Sequence, residues 1–215
     1  MINKNKITII AEIGSVHDGS VGQAKNLINE AHKCGADAVK IQTHIAEEES
    51  LIDAPSPQYF NIEDRYTYFK RTSFDYKQTR ELFLFSKKIG IEFFSSPFSI
   101  AAVELLEKVG VKFYKIPSGE VTNAPLLERV SKTSKTVYLS TGMSSWEEIK
   151  RAYKILKNKK NKVIVMQCTS RYPCGPKQVG LNILQKIKKI FGNVGFSDHT
   201  LNSTAAIGAI FYGAN

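Results

Sequence analysis

No apolar run in this chain approaches the ~18 consecutive residues that a membrane-spanning helix needs. The first ten residues, MINKNKITII, hold no long apolar core leading to a small-residue cleavage site, so no secretory signal is expected. A cytoplasmic protein is the resulting expectation. Cysteine is scarce. Cys34, Cys168 and Cys174 are an odd number without a CxxC pair, which argues against a disulfide framework or a structural zinc site. Cys168 lies inside an apolar run and reads as a small buried hydrophobe. No GxGxxG follows the first apolar run, as a dinucleotide-binding βαβ unit requires. Acidic residues are in deficit, 20 against 30 Lys and Arg, giving a formal net charge of +10.

Much of that excess falls in KRAYKILKNKKNK (150–162) and QKIKKI (185–190). Aromatic residues do not alternate with these lysines and no nucleic-acid motif is visible, so they read as solvated outer faces of helices. A positive field would still draw in anionic substrates.

Seven short apolar runs recur, and nearly every one ends in residues able to do chemistry. ITIIAEIG leads to Glu12, and AVKIQTH carries Lys40, Gln42 and His44. IEFFSSP ends in Ser95 and Ser96, and VKFYKIPSGE delivers Lys115, Ser118 and Glu120. TVYLSTG ends in Ser140 and Thr141, KVIVMQCTSRYP in Cys168, Ser170 and Tyr172, and NVGFSDHT in Ser197, Asp198 and His199. Their shortness and continuous apolarity suit strands buried on both faces, at about 7–13, 37–43, 91–96, 112–117, 136–141, 163–169 and 193–197. Helical patterns lie between them. One starts at Val21 and stops at Gly35, and another runs from Asp75 to Gly90. A third has Ser99 as N-cap and Gly110 beyond its end. A fourth opens with Ser145 and Glu148 in capping-box spacing.

Strand–helix alternation of this kind builds either a doubly wound sheet or a (β/α)8 barrel. Chemistry after nearly every strand, rather than at one switch point, favours the TIM barrel, where all strand carboxyl ends converge on one mouth. Only seven βα units are present, and the chain stops at FYGAN where an eighth strand is due. The expectation is therefore the N-terminal part of a longer barrel protein. A natural seven-stranded or open variant is the alternative. The connection 45–74 is unusually long and contains Tyr59, Phe60, Tyr66, Tyr68 and Phe69, so it is expected to fold over the mouth as a wall or lid.

Lysines with hydroxyls suit an anionic ligand such as phosphate or carboxylate. Carboxylates supply acid–base chemistry, and imidazole ligates divalent transition metals. Each residue also has a structural alternative. Lys40 and Lys115 can form internal ion pairs, His44 can be a core histidine, and Ser140 and Thr141 can satisfy a turn.

The strings AEIGSVHDG, AVKIQTH, FFSSPFS, YKIPSGE, LSTGM, QCTSRYP and GFSDHT, in this order, resemble the N-terminal barrel of the sialic acid synthase family. That family includes legionaminate, pseudaminate and spore-coat polysaccharide synthases. The resemblance spans about 7–215. It implies condensation of phosphoenolpyruvate with an open-chain N-acetylhexosamine, release of phosphate, and a divalent metal, Mn2+ or Mg2+. By motif, Lys40, Ser96, Lys115, Ser118, Ser140, Ser170 and Ser197 are implied to hold phosphoenolpyruvate, and Gln42, Glu120 and Tyr172 to face the sugar. Glu12 and Glu120 are implied as catalytic carboxylates, and His199 as one of two metal-binding histidines. Asn61 is the nearest match to an asparagine of the family's long loop. The family's second metal-binding histidine sits on an eighth strand, and its antifreeze-like C-terminal domain caps a partner's barrel in a homodimer. Both are missing from this sequence. Two departures bear on the sugar: Val16 where the family often has Asn, and Arg171 beside the sugar pocket. A Schiff-base class I aldolase using Lys115 and an inactive phosphoenolpyruvate-binding fragment are the competing readings.

Overall fold

The structure is a computed structural model that describes residues 7–55, 63–157 and 160–215. It divides into two compact units, one over Ile9–Lys112 and the other built chiefly from Phe113–Asn215. No shift of composition marks this boundary, because both sides repeat the same strand–helix pattern.

The first unit has three parallel strands in chain order: β1 (Ile10–Gly14), β2 (Ala38–Thr43) and β3 (Glu92–Pro97). Helix α1 (Val21–Lys33) follows β1, capped by Ser20, whose hydroxyl accepts from Gln23 N. The connection after β2 is not a plain loop. It contains the one-turn helix α2 (Ala46–Glu49) and helix α3 (Arg65–Thr72), with Asp64 as the cap of α3. Helix α4 (Tyr76–Ile89) opens on a capping box between Asp75 and Gln78 and ends at the left-handed Gly90. Helix α5 (Ile100–Val109) runs from Ser99 to Gly110 as its caps predict.

The second unit has four parallel strands, again in chain order: β4 (Phe113–Ile116), β5 (Thr136–Ser140), β6 (Val163–Cys168) and β7 (Val194–Ser197). Between them lie α6 (Ala124–Ser131), α7 (Trp146–Leu156) and α8 (Asn182–Phe191), and α9 (Thr204–Phe211) follows β7. The Ser145–Glu148 capping box is present. Lys150, Lys154, Lys186, Lys188 and Lys189 lie on exposed faces of α7 and α8, while Ile149, Leu156, Leu184 and Ile187 are buried on the opposite faces. This amphipathic split accounts for the lysines within α7 and α8 as solvated helix surface, while Lys157, Lys160 and Lys162 of the first run lie beyond the end of α7.

All seven strands match the spans read from the sequence to within a residue at each end, except that β1 starts three residues later, at Ile10. Their apolar side chains form the core of each unit, with Val39, Ile41, Phe93 and Phe94 in the first and Val137, Leu139, Val165 and Val194 in the second. Parallel pairing fixes which polar residues become neighbours. Glu12 lies opposite Lys40 and Gln42 opposite Ser96 in the first unit, while Cys168 lies opposite Ser197 in the second.

Candidate active site

In the first unit the strand ends carry a charged cluster. Lys40 and Gln42 are two residues apart on β2, so both leave the same face of the sheet. Lys40 is only 3% exposed. Its ammonium donates to Ser96 Oγ at 3.0 Å and pairs with the Glu12 carboxylate, itself about half exposed. A buried ammonium without such partners would cost several kcal/mol, so the neighbouring strands supply what makes this lysine tolerable. Gln42 Oε1 accepts from Ser15 Oγ at 3.2 Å and lies 3.1 Å from His44 Nε2.

The segment after β2 packs over these strand ends. The His44 ring is sandwiched between Phe69 of α3, at 3.9 Å, and Phe98, just past β3, at 4.0 Å. Arg71 of α3 bonds Asp18, in the β1–α1 loop, and Glu63. His17 is buried and stacked on Phe74 at 4.3 Å. Burial is the main reason its pKa falls below the ordinary histidine value. Of the aromatic residues in this connection, Tyr66, Tyr68 and Phe69 lie on α3, and Phe69 packs on His44 just past β2. Tyr59, Phe60 and Asn61 lie outside the described residues.

In the second unit the strand ends are rich in hydroxyls. Lys115 of β4 is half-buried and donates to Ser197 Oγ at 2.8 Å. Ser118 and Glu120 occupy a single 3-10 turn directly after β4. Asn123 donates to Glu120 Oε2 at 2.7 Å. Ser140, at the end of β5, is buried, and among the described residues no oxygen or nitrogen pairs with its hydroxyl, which faces the weakly accepting Cys168 sulfur. Unsatisfied buried hydroxyls are uncommon, and one at a strand end suits a ligand contact. Thr141, by contrast, donates to the Met166 carbonyl at 2.9 Å and is structural.

Gly142 lies where Ser118 and Ser170 converge. A Cβ there would overlap the Ser170 hydroxyl and stand 2.9 Å from the Ser118 hydroxyl. The absent side chain leaves a small cradle lined by two hydroxyls and the Ser170 N–H, 3.2 Å from the same point. That set of donors suits one anionic oxygen.

His199 follows β7 in a turn closed by Asp198, which accepts from Thr200 N and Oγ1. Its Nδ1 donates to the Thr169 carbonyl at 2.8 Å, and Tyr172 OH lies 3.0 Å from Nε2 with the two rings 4.1 Å apart. A carbonyl on Nδ1 is the arrangement that commits Nε2 to an outside partner, so His199 fits as one ligand of a divalent ion. Among the described residues, no group of three His, Cys, Asp or Glu side chains stands close enough to enclose a metal.

Cys168 is more than the buried hydrophobe read from the sequence. It is buried, but its sulfur lies 3.9 Å from His199 Nδ1. Burial raises its pKa, yet bonds from His199 and Ser118 outweigh burial and bring it down to about 6. For His199 burial lowers the pKa, and the Cys168 sulfur and Thr169 carbonyl more than offset it, so the net shift is upward. No local pattern announces this dyad, because its members are 31 residues apart.

A groove of about 300 Å³ lined by Phe83, Lys87, Ile91, Glu92, Phe93 and Lys112 opens at the amino end of β3. It holds none of the predicted site residues, and its Lys112 and Glu92 pair with each other at 2.9 Å.

Parallel strands alternating with helices, with lysines and hydroxyls toward the strand carboxyl ends, are the repeating pattern of a (β/α) barrel. Comparison with known proteins agrees. A solved N-acetylneuraminic acid synthetase from Leptospira borgpetersenii, in complex with citrate, matches with a TM-score of 0.88 and 31% identity, covering 99% of this chain and 72% of that one. The fold is thus the TIM-barrel class, with seven of its βα units. The chain belongs to the NeuB family, whose model matches residues 27–215. It is 38% identical to N,N'-diacetyllegionaminic acid synthase of Campylobacter jejuni, over 97% of this chain and 65% of the relative. It is 34% identical to human N-acetylneuraminate-9-phosphate synthase, over 96% of this chain and 59% of the relative. The chain therefore spans roughly three-fifths of the length of these curated relatives. No helix among the described residues is long and apolar enough to cross a membrane.

Proposed function

We propose that this chain is the catalytic barrel of an enzyme that joins phosphoenolpyruvate to an open-chain N-acetylated amino sugar, forming a nonulosonic acid and inorganic phosphate. The observation that carries the reading is repeated in both units: a strand lysine donates to a serine at or next to the end of another strand, Lys40 to Ser96 and Lys115 to Ser197. Ammonium and hydroxyl groups together suit a ligand bearing a phosphate and a carboxylate. The relatives' names, as legionaminic acid and neuraminate-9-phosphate synthases, support an amino-sugar acceptor.

In this reading the methylene carbon of phosphoenolpyruvate bonds to the sugar aldehyde carbon. Water adds at C2 and loses a proton, the C2–O bond to the phosphoryl group breaks, and phosphate leaves. Lys40, Ser96, Lys115, Ser118, Ser140, Ser170 and Ser197 hold the phosphorylated substrate. Because these donors are fixed by the fold, they need no reorganisation as charge moves. Gln42, Glu120 and Tyr172 face the sugar. Glu12, paired with Lys40, takes the proton of the adding water, and Glu120 handles the proton at the former aldehyde oxygen. A divalent ion, Mn2+ or Mg2+, supplies Lewis-acid polarisation of the aldehyde when bound, with His199 as one ligand. The reading carries with it a cytoplasmic location and a homodimer.

The test is phosphate release by protein expressed from the complete coding region, supplied with phosphoenolpyruvate, manganese and either N-acetylmannosamine or a diacetamido sugar. Sugar-dependent release is expected. Release with none of these sugars, or borohydride trapping of a pyruvate adduct on Lys115, would overturn the reading, since this route passes through no imine.

A further inference from the structure

We propose that His44 and Glu49 are a positioning pair for Gln42, holding its carboxamide so that the NH2 edge faces the acceptor sugar. The proposal rests on the reaction proposed above. It adds which side of the amide reads the sugar, and what sets that choice.

The pair is built with unusual completeness. His44 and Glu49 side chains are each 4% exposed. Phe69 and Phe98 lie on the two faces of the imidazole at interplanar angles of 10° and 24°, which fixes the ring plane. With the plane fixed, Nδ1 meets Glu49 Oε1 at 2.6 Å and Nε2 meets Gln42 Oε1 at 3.1 Å. A carboxylate only accepts, so Nδ1 donates to it, and Nε2 donates to the amide oxygen. Ser15 Oγ donates to the same oxygen at 3.2 Å. Both lone pairs of Gln42 Oε1 are then used.

What remains is the NH2 edge. It is turned toward Gly14: a Cβ there would stand 4.0 Å from Gln42 Nε2 and 3.5 Å from Glu12 Oε1. Gly14 has φ of +57°, a conformation that favours glycine, and the missing side chain keeps the space between the amide and the Glu12 carboxylate open. A glutamine free to flip can read either a donor or an acceptor. One whose oxygen is taken twice reads only an acceptor, such as an acetamido carbonyl or a hydroxyl oxygen. The pair therefore selects for an acceptor group on the sugar next to the reacting carbon.

The cost of the arrangement supports a role beyond packing. A buried His–Glu pair contributes little stability compared with apolar residues of similar volume. Here Glu49 Oε2 is also buried without a hydrogen-bond partner among the described residues. Such expense is characteristic of sites where orientation matters.

Two measurements on the complete protein decide the matter. The first needs no variant: 15N spectra of imidazole-labelled protein should show both His44 ring nitrogens protonated. One unprotonated, pyridine-like nitrogen would overturn the proposal. The second is kinetic. His44→Asn should raise KM for the sugar about tenfold, the equivalent of one lost hydrogen bond, with KM for phosphoenolpyruvate changed less than about twofold. Glu49→Gln, which retains an acceptor for Nδ1, should raise the sugar KM less than Glu49→Ala. Adding His44→Asn to Gln42→Ala should change the sugar KM no further. Equal rises in both KM values, or effects that multiply in the double variant, would overturn the positioning role. If wild-type protein turns over no sugar, the proposed reaction fails, and the nitrogen spectrum still decides whether the pair is built as stated.

Discussion

Lys40 and Lys115 are each the third residue of their strands, β2 and β4, yet the two units treat them differently. Lys40 is sunk to 3% exposure and matched by a carboxylate on the next strand. Lys115 stays half-buried and donates to a neutral hydroxyl. The first unit has built this charge into the fold, so in the proposed function Lys40 serves stability and binding together. Lys115 keeps more contact with solvent, so in the proposed function more of its contribution falls on the ligand. A single residue type thus carries two different balances of structure and function, set by how deeply its strand is covered.

The largest test of that contrast is Lys115→Ala. It should lower kcat/KM for phosphoenolpyruvate about 10³-fold, as loss of a charge partner in a fixed site does, while the melting temperature barely moves. A large fall in melting temperature would break the comparison. Gly142→Ala comes next. The added methyl overlaps the Ser170 hydroxyl and crowds Ser118, so KM for phosphoenolpyruvate should rise about 30-fold, since misplacement of this size is costly in a fixed site. Unchanged binding would show that the cradle is not used.

Glu12→Gln probes the other unit. It leaves the buried Lys40 ammonium with Ser96 alone, and denaturant unfolding should show a loss of about 1–3 kcal/mol, the cost of a charge-assisted bond at a buried group. A similar loss for Lys115→Ala would erase the distinction between the lysines.

The smallest effect concerns pH. Cys168 titrates at about 6 in the folded protein against an ordinary value of 9.0. Between these values the folded state holds the thiolate and the unfolded chain the thiol. The unfolded state then binds more protons, so stability rises with pH across that window and is lost as pH falls through about 6. His199 shifts the opposite way, upward, so its contribution is present below 6.5 and is lost as pH rises through its folded value. Wild type minus Cys168→Ser should therefore show a growing stability advantage from pH 6 toward 9, and a thiolate absorbance with a midpoint near 6. A midpoint near the ordinary value would show that the His199 contact does not operate.

Much of this was readable in the chain itself. Ser99 with Gly110, and Ser145 with Glu148, announced helix ends through interactions that span a few residues. The strands declared themselves by continuous apolar content, because both of their faces are covered. The connection 45–74 looked like one long loop, since α2 is a single turn and α3 is polar and aromatic rather than cleanly amphipathic. The short helices α6 and α9 carried too few turns for their pattern to stand out.

The order and spacing of the amino acids determined which residues end each strand, because hydrophobic period and capping are local physics. Tertiary packing alone decided what each of those residues does. Phe69 came to stack on His44 from 25 positions away, His199 reached Cys168 from 31, and Ser197 met Lys115 from 82. A side chain's charge, tautomer and orientation depend on the groups within a few ångströms of it, and the chain specifies those only once it has folded.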